Sequence, residues 1–139
     1  MRIGNDSAFV EIERSYIDVK DPLARCYNAR LENDSFAGTV GEIWISPTDA
    51  QSFLRQLNEL EQNKGETAVL RNLSSDSDVS PLSFEIRKID SLGHIGVFAT
   101  VRELRWLREK TSVLSLSFSF ELERGALLNL CVDFKKFFS

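Results

Sequence analysis

The sequence is poor in the residues that build reactive sites. Its 139 residues include one histidine, His94, and two cysteines, Cys26 and Cys131. Transition-metal sites draw on several spaced His and Cys ligands, and no such spacing exists here. A Cys/His nucleophile pair would also need an orienting acid, and neither thiol lies in a local signature. The glycines are scattered, so no phosphate-cradling loop forms. Asp76-Ser77-Asp78 places two carboxylates in a loop but lacks the glycine and terminal glutamate of an EF-hand. Nothing marks a carboxylate pair for sugar hydrolysis. These gaps predict no catalytic residue, no metal and no cofactor, hence a protein that is not an enzyme.

Long apolar runs are also missing. None approaches the roughly 20 residues that a spanning helix needs. Met1 to Asp6 holds no apolar signal core. The expectation is a cytoplasmic protein with two free thiols and no membrane partner. The N-x-S tripeptides at Asn5, Asn33 and Asn72 then read as polar turns.

Concentrated positive charge is the third absence. The net charge is −4 and the pI about 5.1. Residues 1–90 hold 16 acids and 10 bases, while residues 91–139 hold 5 and 7. Phosphate contacts need clustered Lys and Arg, so nucleic acid is not the expected partner. Such a balance suits a basic protein partner, and it is equally an ordinary solubility charge.

What is present is a globular composition, 42% hydrophobic and 27% charged, with ten phenylalanines. Aromatics favour strands and dense cores. The length fits a single domain spanning 1–139, large enough to fold without disulfides or metals. No linker, low-complexity block or internal repeat is visible.

Strands are predicted from Ala8 to Arg14, resuming through Val19, then over Arg25–Glu32 and Phe36–Ile45. A turn at Lys20–Leu23 separates the first two. Ile43-Trp44-Ile45 is apolar on both faces, as in a central strand. Gly38 and Gly41 suggest a bulge or a close backbone approach. Ser46-Pro47-x-Asp49 then opens a helix with an N-cap, a first-position proline and an early carboxylate. Ala50, Phe53, Leu54, Leu57 and Leu60 form its apolar stripe, and Asn63-Lys64-Gly65 is read as its stop, with Gly65 the C′ residue. Thr67–Leu70 is a short strand, and Asn72–Ser80 is a polar loop. Alternation marks strands at Leu82–Arg87, Ile95–Val101 and Leu114–Leu122. His94 falls in the hairpin between the first two of these. In the tail, Leu127, Leu128, Cys131, Phe134 and Phe138 recur near helical spacing. The predicted fold is α+β: a mostly antiparallel, curved sheet of about seven strands in the order βββ-α-ββββ-α, covered by two helices.

Two surface features are candidates for partner binding. Ser117 and Ser119 share one face of the last strand. Arg102 shares a face with Thr100, and Glu85 shares one with Arg87. If the register aligns them, they make a face of small hydroxyls and mixed charge around Phe98; the same pattern also describes a plain solvated face. The second feature is Arg102–Lys110, where four bases surround Trp106. Trp and Arg dominate interface hot spots, and a Trp packed on its neighbour strand at a hairpin end has the same sequence signature.

The order of segments resembles a known group. Gly41–Pro47 leading into Phe53, Leu54 and Leu57, the strand Leu82–Ile86, and the ending Phe118–Glu123 before a last helix are similar to small acidic bacterial domains that include the WapI-type immunity proteins. That resemblance implies a non-catalytic protein that binds a cognate toxin stoichiometrically and occludes it, the toxin often having a basic cleft. It carries no binding residues over. The competing expectation is a self-assembling module, a homo-oligomer paired through its polar sheet face or an exposed edge strand.

Overall fold

The structure, a computed structural model, describes residues 1–17, 25–72, 80–107, 110–123 and 125–139, with backbone alone at 16–17, 104–107 and 110–111. The predicted Lys20–Leu23 turn and the Asp76-Ser77-Asp78 loop lie outside the described residues.

The chain runs β1 (Arg2–Gly4), β2 (Ala8–Ile17), β3 (Arg25–Asn33), β4 (Ala37–Trp44), α1 (Pro47–Glu61), β5 (Thr67–Leu70), β6 (Leu82–Lys88), β7 (Ile95–Leu107), β8 (Lys110–Glu121) and α2 (Ala126–Phe138). The α+β class and the antiparallel pairing hold. The single sheet of about seven strands does not. There are two four-stranded antiparallel sheets, ordered β1-β2-β3-β4 and β5-β6-β7-β8. The element order is thus the same unit twice, four strands and a helix, although the sequence shows no repeat.

The physical reason for the split lies at the edges that might have joined. β4 is bulged opposite Tyr27–Ala29, and Glu42 in it has a positive φ of 57°. The ladder of β5 is closed on its outer side by α1, whose Gln56 side chain accepts a hydrogen bond from the Val69 N–H at 2.9 Å. β4 is therefore an edge strand rather than the predicted central one. Its apolar run is a junction: Ile43 is buried in the strand, and Ile45 is buried just beyond it, at the entry to α1. The expected close approach is found at Gly38, where an added Cβ would stand 2.8 Å from Leu116 Cδ2 on β8.

α1 starts as predicted. The Asp49 N–H donates to Ser46 Oγ at 3.1 Å, and the Ser46 hydroxyl donates back to the Asp49 carboxylate at 2.6 Å. Its end differs. The left-handed residue is Asn63, with φ 57°, and the Lys64 and Gly65 N–H groups both return to the Glu59 carbonyl. Asparagine tolerates that conformation, so Gly65 is not the C′ residue. In α2 the stripe is also shifted. Leu130 and Phe134 are buried, whereas Leu128 is 58% exposed.

The inner faces of both sheets and both helices share one core. Phe53 of α1 meets Phe134 of α2 edge-to-face at 4.8 Å, and both rings meet Phe84 of β6 at 6.0 Å. Tyr27 of β3 touches Phe137 and Phe138. Arg14 and Arg25 fasten the end of α2 to the first sheet, donating to the carbonyls of Phe137 and Phe138 at 2.9 Å each.

Candidate protein-binding face

β6, β7 and β8 carry the site. Their alternation buries Phe84, Ile86, Val97, Ala99 and Val101 on one side. The register then fixes what stands on the other. Glu85, Phe98 and Ser119 lie in one row across the three strands; Ser83, Thr100 and Ser117 lie in the next; Arg87, Gly96 and Glu121 flank them on one side, and Arg102 and Ser115 on the other. The alignment that the sequence left conditional is therefore met for Glu85, Arg87, Phe98, Arg102, Ser117 and Ser119. Each of these is exposed or half-buried.

The rows are held by side-chain contacts. The Arg87 guanidinium carbon sits 4.0 Å from the centroid of the Phe98 ring, and Arg87 reaches Glu85 at 3.5 Å. The Thr100 and Ser117 hydroxyls are hydrogen-bonded at 2.6 Å. Arg102 donates to the Ser80 carbonyl at 3.4 Å. Gly96 gives the Phe98 ring room: a Cβ there would stand 2.9 Å from Phe98 Cε2. A glycine two residues before a phenylalanine on one strand face was the available signal for this flat-lying ring. With two acids and two bases, Glu85, Glu121, Arg87 and Arg102, the face is charge-balanced.

Trp106 belongs to β7, opposite Thr111, because β7 runs to Leu107 and not to Val101 as predicted. Its side chain lies outside the described residues, so it is not placed on the face.

The remaining reactive groups lie elsewhere. His94 follows the β6–β7 turn, with Nδ1 2.5 Å from the Asp90 carboxylate, which also accepts from the Leu92 and His94 N–H groups. These bonds, the His94 side chain first, hold the Asp90 carboxyl below its usual range. Both cysteines are free. Burial raises the pKa of each thiol, helped at Cys26 by Glu42 and at Cys131 by Glu61. That is opposite to the shift a nucleophilic cysteine needs. Among the described residues, no cluster of three His, Cys, Asp or Glu could hold a metal ion. Among the same residues, no helix is long and apolar enough to cross a membrane.

Sequence reasoning missed Asn72. It is no polar turn: it is buried, and its amide both donates to the Leu82 carbonyl and accepts from the Leu82 N–H. The side chain thereby stands in for a peptide group next to the β5–β6 ladder. Asn5 and Asn33 are the turns expected, each accepting two backbone N–H bonds from the residues that follow.

Fold and face together define a two-sheet α+β protein with an open, Phe98-centred strand surface. No family model matches the chain, and no curated protein or solved structure matches it either.

Proposed function

We propose that this chain is a non-catalytic, cytoplasmic binding protein of the immunity type, which neutralises a cognate bacterial toxin by covering it. The observation that carries the reading is the register of β6, β7 and β8, which gathers Glu85, Arg87, Phe98, Arg102, Ser117 and Ser119 on one open sheet face. An open face with an aromatic at its centre and a polar rim suits a protein partner, since such anchors carry most interface energy. The similarity of the segment order to WapI-type immunity proteins, the net charge of −4 and the raised thiol pKa values favour the same reading.

In this mechanism the partner's side chains close over Phe98 and desolvate the Arg87 and Glu85 pair. The chain's net charge of −4, rather than the balanced face, draws a basic toxin domain in, and the buried ring sets how long it stays. Co-expression with a toxin domain encoded by a neighbouring gene is the test. Rescue of growth, a co-purified one-to-one complex, and loss of both on Phe98→Glu are expected. Growth arrest despite co-expression, with no complex, rejects the proposal.

A further inference from the structure

Three of the four sheet edges are guarded, and one is not. β1 is three residues long and ends in Gly4 at φ 124°. β4 carries a bulge and the charged Glu42 at positive φ. β5 is four residues long, and its outward Val69 N–H is taken by Gln56. Short, bulged, charged or covered edges are how proteins prevent strands from pairing between molecules. Among the described residues, β8 has none of these between Thr111 and Phe120. It is 12 residues long, pairs only with β7 among the described strands, and keeps one register throughout. From Thr111 to Phe120 it contains no charge, proline or glycine.

The ladder shows which groups are left over. The Leu122 N–H donates to the Ile95 carbonyl at 2.8 Å, in register with the rest of β7 and β8. In an antiparallel pair bonded and non-bonded positions alternate, so the even-numbered residues of β8 bond to β7. The backbone groups of Thr111, Val113, Ser115, Ser117 and Ser119 face outward. Beside them Val113 and Leu114 are 46% and 49% exposed.

We propose that two copies of this chain pair along β8, antiparallel about a two-fold axis at Ser117, to make one continuous eight-stranded sheet. The strand is complementary to itself in that arrangement. Ser115 falls opposite the partner's Ser119, Leu114 opposite the partner's Phe120, and Leu116 opposite the partner's Phe118. Hydroxyls meet hydroxyls, apolar groups meet apolar groups, and the absence of charge over Thr111–Phe120 removes like-charge repulsion at the axis. A contact one strand wide is small, below about 1,200 Å² in total, so the dimer forms at micromolar concentration or above. The inference stands apart from toxin neutralisation, because it uses the outward backbone groups of β8, while the proposed toxin contact uses the side chains of the sheet face, Ser117 and Ser119 included.

The test is mass by light scattering over about 5–500 µM, a range set by that small interface. The mass is expected to double across it, with amide exchange at Ser115, Ser117 and Ser119 slowing as the dimer fills. Ser115→Pro removes an outward N–H, and Leu114→Lys sets a cation against the partner's Phe120; both should remain monomers. Val69→Lys, on the opposite edge, should dimerise as the parent does. If Ser115→Pro does not fold, Leu114→Lys alone decides. A parent that stays monomeric at the highest concentration overturns the proposal. So does a dimer that both β8 substitutions leave intact, or a β8 edge that pairs only with a different protein.

Discussion

Arg87 lies over the Phe98 ring, 4.0 Å from guanidinium carbon to centroid, on the exposed side of the second sheet. An exposed cation–π pair stabilises a fold by only about 0.5–1 kcal/mol. Its geometry is better suited to a partner, since the ring is already placed between Arg87 and Gly96 on the open face.

Phe98→Ala should therefore separate binding from folding. Truncating a central interface aromatic costs about 2 kcal/mol or more of affinity, roughly 30-fold in Kd. The loss in folding stability should stay near 1 kcal/mol, since only the exposed pair and part of the ring's burial are removed. Calorimetric titration with the toxin domain, beside urea unfolding, measures both. Equal losses in the two would mean that Phe98 only packs.

Asn72 should matter more than its place at the start of a polar stretch implies. Asn72→Ala leaves the buried Leu82 N–H without its side-chain acceptor and the Leu82 carbonyl with the Ser80 hydroxyl alone. The expected cost is about 1–3 kcal/mol in urea unfolding. Asn72→Asp restores an acceptor for the Leu82 N–H but sets a buried carboxylate against the Leu82 carbonyl, so it should not recover the loss.

The corrected face of α2 can be checked by a pair of substitutions. Phe134 is fully buried against Phe53 and Phe84, so Phe134→Ala should cost about 3–5 kcal/mol. Leu128 is 58% exposed, and Leu128→Ser should fall within about 0.5 kcal/mol of the parent. Thermal denaturation of the two variants distinguishes this stripe from the predicted one, which placed Leu128 inside.

Acid should loosen the β6–β7 turn locally. The Asp90 carboxyl is held low chiefly by the His94 side chain. A depressed carboxylate contributes its stabilisation above the unfolded pKa, about 3.9, and loses it as pH falls through the lowered folded value. The Leu92 and His94 amides, both bonded to Asp90 Oδ1, should stay protected at neutral pH and lose protection below that window. Asp90→Asn keeps an acceptor oxygen, so hydrogen exchange in that variant should show no such acid step.

The sequence was most legible where one local rule acted alone. Ser46-Pro47-x-Asp49 set the start of α1, and the alternation of β6, β7 and β8 set which residues face outward. It was least legible where tertiary contacts decide. β1 is three residues long and has no alternation of its own to read. The division into two sheets depends on Gln56 reaching Val69, a contact across 13 positions that no periodicity reports. Ile43-Trp44-Ile45 looked like a central strand because burial beyond a strand's end reads the same as burial within it. The turn into Asn63 was hidden by a glycine two residues later. Asn72 was hidden by its polar surroundings, since composition records hydrophilicity and not which amide faces inward.

Phe53 is made early in the chain, and the rings that enclose it, Phe84 and Phe134, come later. A nascent chain leaving the ribosome therefore presents α1 with its apolar side bare until β6 and then α2 have emerged. The first four strands can pair among themselves meanwhile, but completion waits for the last helix. Arg14 and Arg25 then fasten that helix back onto β2 and β3, so an element made late holds two made early in place.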